Sequence, residues 1–148
     1  MSGADGVSAR MRAVEEAHRA YYAAWERGDT AAATSLWVDS DDISCTFPGV
    51  PGVIGRRAVF EQVVEGIVLT AGVQFIFEDL RIVVRGDVAR LTCVENVLLP
   101  GTLSLAEMVD LPTSRLAVTS LFRAVGADWR LWTHHAGPVM GDVERRTE

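Results

Sequence analysis

Met11, Val14, His18, Tyr21, Tyr22 and Trp25 recur at helical spacing, with Arg12, Glu16, Arg19 and Glu26 on the opposite face. The pattern predicts a long amphipathic helix. Gly28 reads as its stop, and Asp29 as the N-cap of a second, short helix reaching Trp37. Ile43, Cys45 and Phe47 alternate with Ser44 and Thr46, which predicts a strand; Pro48 to Gly55 is a turn. Phe60, Val63, Val64 and Ile67 then repeat at i, i+3, i+4 and i+7, a third helix ending near Gly66.

The rest of the chain reads as strands. Phe75 and Phe77 share one face, whereas Leu80, Ile82 and Val84 continue with the opposite parity. A two-residue period cannot change parity without an extra residue, so a bulge is expected near Glu78–Asp79. Arg85–Gly86–Asp87 and Gly126–Ala127–Asp128 are turns between long strands over 88–99, 115–125 and 129–137. The segment 100–114 is too long for a hairpin turn and is expected to carry a short helix at 104–109 and to serve as a lid. Helices first and strands afterwards indicate an α+β fold in one domain over 8–140, with flexible tails at 1–7 and 141–148.

Composition changes the picture by exclusion. The net charge of −6 disfavours nucleic-acid and anionic-membrane surfaces. All 14 basic residues are Arg, so neither a Schiff-base lysine nor a P-loop is available. Cys45 and Cys93 lack metal-ligand or redox spacing and read as small buried hydrophobes. No apolar run is long enough for a membrane span and no secretory signal is visible, so a cytoplasmic location is expected. His134 and His135 are neighbours on a strand and point to opposite faces, so they cannot chelate one metal, and no cofactor is expected.

The order Tyr21 to Asp29, Leu36-Trp37, Asp41-Asp42, Gly52 to Gly55 and Trp129 to Pro138 resembles the nuclear-transport-factor-2-like superfamily, most closely its SnoaL-like branch. That resemblance, over roughly residues 8–140, implies a cone: a bent antiparallel sheet wrapped around three N-terminal helices, cystatin-like in shape, with a small-molecule pocket inside. It also implies specific departures. Tyr21 stands where the ketosteroid isomerase branch has an oxyanion-donating tyrosine. Phe47, before Pro48, stands where that branch has its carboxylate base, and Val118 where it has its second oxyanion donor. Neither Val94-Glu95-Asn96 nor His134-His135 supplies the acid set of the limonene epoxide hydrolase branch. In the resembled family the face carrying His135 lines the cavity.

Candidate chemistry follows from these residues. Tyr21 would polarise a bound carbonyl; Tyr22, about 100° around the helix, is expected to face elsewhere. His135 is the candidate general acid/base, with Thr133 beside it on the same face. Glu95 and Asn96 point to opposite faces. If Asn96 faces the cavity it is a donor, whereas an inward Glu95 would have its pKa raised by apolar surroundings and become a usable acid/base. Trp25 and Phe60 complete the expected lining. The resemblance implies either a cofactor-independent cyclase, isomerase or lyase acting on a hydrophobic polyketide-type carbonyl compound, or a non-catalytic ligand-binding or association module. A homodimer is expected through the outer sheet face, with Trp132, His134 and Arg123 as candidates there.

Overall fold

A computed structural model describes residues 3–98 and 115–139. The segment read as a lid and the tail at 141–148 lie outside the described residues. Nine elements follow in order: α1 Gly3–Glu26, α2 Thr30–Ser35, β1 Ser44–Thr46, β2 Val53–Ile54, α3 Arg56–Leu69, β3 Gln74–Arg85, β4 Val88–Leu98, β5 Arg115–Val125 and β6 Asp128–Pro138. Helix α1 begins at Gly3, inside the stretch 1–7 expected to be a flexible tail, and runs through Gly6. Gly28, at φ 71°, ends the turn after α1. The Asp29 carboxylate accepts from the Ala32 amide at 2.9 Å and starts α2. That helix stops at Ser35, short of Trp37, because the next residues join the sheet. The Leu131 amide donates to Leu36 O and the Val38 amide to Leu131 O, each at 2.8 Å.

The six strands form one curved open sheet in the order β2-β1-β6-β5-β4-β3. All neighbours are antiparallel except β1 and β6, which run parallel. Two long strands change parity. On β3, Asp79 and Leu80 oppose Cys93 alone between the pairs Glu78↔Val94 and Arg81↔Thr92, and Asp79 takes φ 54°. This is the bulge the phenylalanine and leucine parities foretell. A second interruption falls on β6: Leu131 pairs with Phe122 and Thr133 with Leu121, leaving Trp132 as the extra residue.

Helix α1 lies along the concave side of the sheet. Its Val14, His18, Tyr21, Tyr22 and Trp25 are buried with Val59, Val63 and Ile67 of α3 and with Leu91, Cys93, Val118, Phe122 and Leu131 of the sheet. Each large apolar side chain removed from water here stabilises the fold by about 1.5–3 kcal/mol. The buried stripe of α3 is Val59, Val63 and Ile67, one turn apart each time, and not the Phe60–Val64 side. Val64 is exposed, and Phe60 is half-buried beneath the Arg56 guanidinium, 5.3 Å from its ring centre. Both cysteines are free and buried, and burial pushes each thiol up to about 12. Among the described residues no helix is long and apolar enough to cross a membrane.

Candidate active site

Between α1, α3 and the inner face of β3 to β6 lies a cavity of about 450 Å³. Helix α1 contributes Tyr21, Tyr22 and Trp25; the end of β1 contributes Phe47; α3 contributes Gln62, Glu65, Gly66 and Leu69. The sheet supplies Phe75, Glu95, Val97, Leu116, His134 and Ala136. Its walls are mainly aromatic and aliphatic with a few polar groups, the usual form of a small-molecule site.

Tyr21 and Tyr22 both line this cavity, contrary to the expectation that one would turn away. The sheet curves far enough around α1 that residues on adjacent helix faces meet the same space. Their rings pack edge to face at 5.6 Å, and each also faces His134, at 5.9 Å and 6.1 Å. Both phenol pKa values are raised by burial; around Tyr21 the indoles of Trp25 and Trp37 act in the opposite direction. Among the described residues neither hydroxyl, nor the Trp25 indole N–H, has a hydrogen-bond partner.

The extra residue on β6 corrects the assignment of the histidines. His134 is 3% exposed and forms part of the cavity wall, so it belongs inside and not on the outer face where it was expected with Trp132 and Arg123. His135 is exposed on the far side of the sheet. Thr133 also points away, its hydroxyl sharing a 2.9 Å hydrogen bond with Ser44 of β1. Trp132 and Arg123 stack on each other at 5.2 Å. The His134 ring is held by Ser120 of β5, whose Oγ lies 2.8 Å from Nδ1. Burial, with a smaller contribution from His135, lowers the His134 pKa to about 4, so the ring is neutral at ordinary pH.

Glu95 settles the choice left open on β4. Its side chain lines the cavity at 3% exposure, whereas Asn96 faces outward and donates to Glu78 Oε1 at 2.8 Å and to Ile76 O at 3.3 Å. Burial raises the Glu95 carboxyl to about 7, opposed by the nearby Tyr22 phenol. Among the described residues no cation pairs with it. Glu95 and His134 are not in contact range through the sheet. Inner rows run Leu91–Ser120–His134, then Cys93–Val118–Ala136, then the row begun by Glu95 and Leu116. The carboxyl and the imidazole therefore stand two inner rows apart on the cavity wall, with Tyr22 near both.

Of the remaining expected residues, Trp25 lines the cavity, its ring 5.7 Å from that of Phe47. Phe60 does not reach it; the α3 residues that do are offset along the helix at Gln62, Glu65, Gly66 and Leu69. Phe47 closes the wall beside His134 at 5.7 Å. Sequence reasoning missed Tyr22, His134, Ser120 and Gly66. For His134 a signal existed: Trp129 and Leu131 share one parity and Ala136 the other, the same mark that revealed the bulge on β3.

With this geometry in place, similarity to known proteins carries weight. A family model for the SnoaL-like domain matches residues 14–141. No curated protein matches the chain. Among solved structures, a candidate dehydratase of the NTF2-like family from Streptomyces avermitilis is 33% identical, with a TM-score of 0.77 over 90% of this chain and 98% of that one. A candidate scytalone dehydratase from Novosphingobium aromaticivorans is 16% identical, TM-score 0.66, over 93% and 89%. A candidate calcium/calmodulin-dependent protein kinase type II association domain from Thiobacillus denitrificans is 21% identical, TM-score 0.73, over 85% and 94%. The last two likenesses concern the fold alone.

Proposed function

The chain belongs to the SnoaL-like domain family of the NTF2-like superfamily, and on that premise we propose that it is a cofactor-independent acid–base enzyme acting on a hydrophobic carbonyl compound of polyketide type. The reaction class is dehydration, isomerisation or ring closure, all of which begin by removing a proton from the carbon next to a carbonyl. The observation that carries this reading is Glu95: a buried carboxyl on an apolar cavity wall, paired with no cation among the described residues, with its pKa raised to about 7. A base poised near the working pH combines a useful ionised fraction with useful proton affinity. Its carboxylate would take the α proton, leaving the electron pair on the carbonyl oxygen as an enolate. The same carboxyl, now protonated, would return that proton to a departing β-hydroxyl, which leaves as water, or to a second carbon in an isomerisation. Tyr21 and Tyr22 line the cavity, and their buried hydroxyls, unpaired among the described residues, would turn toward the enolate oxygen, an electrostatic contribution available only in a dry site.

The relative from Streptomyces avermitilis, named a candidate dehydratase, supports a lyase over a purely structural role. A second reading keeps the pocket without turnover, favoured by Phe47 and Val118 occupying the positions where the ketosteroid isomerase branch carries its acids. The experiment that separates the two is incubation with a fused-ring β-hydroxy ketone in D2O, following deuterium entry at the α carbon by mass spectrometry. Protein-dependent exchange that disappears in Glu95→Gln is the expected result. Binding without exchange would leave the non-catalytic reading, and exchange that survives Glu95→Gln would remove Glu95 as the base.

A further inference from the structure

We infer that Ser120 is a positioning residue that holds His134 as the Nε2–H tautomer, making this histidine a neutral hydrogen-bond donor to the ligand's carbonyl oxygen and not a proton acceptor. The inference rests on the carbonyl-ligand reading above for what the donor meets, but the tautomer itself follows from hydrogen-bond satisfaction alone.

Ser120 is fully buried in the middle of β5, at 0% exposure, on the inner row between Leu91 and His134. Its Oγ makes one hydrogen bond among the described residues, the 2.8 Å contact to His134 Nδ1. Two proton arrangements are possible there. If Nδ1 carried the ring proton and donated to Oγ, the serine's own O–H would be left buried without an acceptor, a loss comparable to a missing hydrogen bond. If Oγ–H donates to an unprotonated Nδ1, both atoms are satisfied and the ring proton must sit on Nε2. The second arrangement leaves nothing orphaned, so the geometry selects it. The charged ring, with protons on both nitrogens, would recreate the serine's difficulty and in addition place a cation among the aromatic and aliphatic walls.

The rest of the cavity fits this role. The groups packed around the His134 ring are Tyr21, Tyr22 and Phe47, and none offers an acceptor that an Nε2–H would need in the unliganded protein beyond the phenol oxygens. The Tyr21 and Tyr22 hydroxyls and the Trp25 N–H are also unpaired. The cavity wall beside His134 thus holds buried donors that lack partners among the described residues, and no arginine is among its described lining residues. A ligand that satisfies these groups carries neutral oxygen acceptors, a ketone or quinone-type oxygen, and not an ammonium group. Proton removal is then left to Glu95, two inner rows away.

The decisive measurement is the tautomer, read from nitrogen-15 chemical shifts of the histidine rings by long-range proton–nitrogen correlation at neutral pH. We expect Nδ1 of His134 to appear as a bare, pyridine-type nitrogen and Nε2 as a protonated, pyrrole-type one. The reverse pattern in the wild-type protein would overturn the proposal, and this holds even if no Ser120 variant folds. Ser120→Ala should convert the single tautomer to a mixture and weaken binding of acetylnaphthalene, a neutral fused-ring ketone, on the order of tenfold. Ser120→Thr, which keeps the hydroxyl, should restore the single tautomer. A wild-type tautomer as expected together with no binding of the ketone would count against the carbonyl-ligand reading while leaving the role of Ser120 in place. An unchanged tautomer in Ser120→Ala would refute that role.

Discussion

The indole of Trp25 lies directly against Gly66, so that a Cβ built on this glycine would come within 2.5 Å of the Trp25 Cη2. Gly66 sits inside α3, where Ala would ordinarily favour the helix by up to about 1 kcal/mol. Here the missing side chain is what lets α1 and α3 approach across one end of the cavity.

Gly66→Ala is therefore expected to destabilise the protein, by a net amount of about 1–2 kcal/mol, because overpacking a close contact costs about 1–3 kcal/mol and outweighs the helix gain. Urea denaturation measures the stability, and Trp25 fluorescence should change as the ring is displaced. A more stable variant would show that the contact relaxes without strain.

Glu95→Gln should change how stability depends on pH. A folded-state pKa raised from 4.5 to about 7 means the unfolded chain ionises first. The wild type is then unpenalised below the lower value and loses stability as pH rises toward the upper one, about 3 kcal/mol at roughly 1.4 kcal/mol per unit. The glutamine variant lacks this loss. It should match the wild type near pH 4 and exceed it above roughly pH 8, as denaturation curves at the two extremes would reveal. Equal stability at the high-pH end would contradict a raised pKa.

The histidines impose the opposite slope. Burial lowers His134 to about 4 and His18 to about 3, the latter further depressed by His134 and Arg19. As pH falls below 6.5 the unfolded chain takes up these protons first, so stability declines down to the folded-state values. His134→Asn should flatten part of this acid limb. A ring-proton titration of His134 with its midpoint near 6.5 would contradict the burial argument.

Tyr22→Phe removes the phenol that opposes the rise in the Glu95 pKa. The basic shift expected in the pH profile of turnover, or in the carboxyl signal of Glu95 by NMR, is upward.

His135→Ala is the counterpart to these changes. The side chain is exposed on the outer face, so its removal should alter stability by less than about 0.5 kcal/mol and leave ligand binding as it was. A large loss of binding would reopen the question of which histidine the ligand meets.

The elements of this fold were legible because their periodicities are clean. The α1 stripe from Val14 to Trp25, the Asp29 cap and the parity change after Phe77 each map to the observed structure. The site was less legible, and for two physical reasons. How far the sheet curves around α1 is a tertiary property, so Tyr22 could not be placed from helical angle alone. Strict alternation from Leu131 onward would turn Thr133 and His135 inward, and Trp132 breaks that continuity. Glu95 and Asn96 could not be separated by residue type, because only pairing across β4 decides which of two neighbours turns inward.

The extra residue at Trp132 makes the chemistry of the pocket a matter of strand pairing as well as residue identity. Were the strand to run through Trp132 in strict alternation with no residue lost, Leu131, Thr133 and His135 would share the inner face and His134 would turn to solvent, with no side chain of the site itself replaced. In this architecture the pairing of a single residue at a strand's midpoint can redraw an active site more thoroughly than most point substitutions, and chains that keep or regularise that bulge would share a shape while presenting different reactive groups to what they enclose.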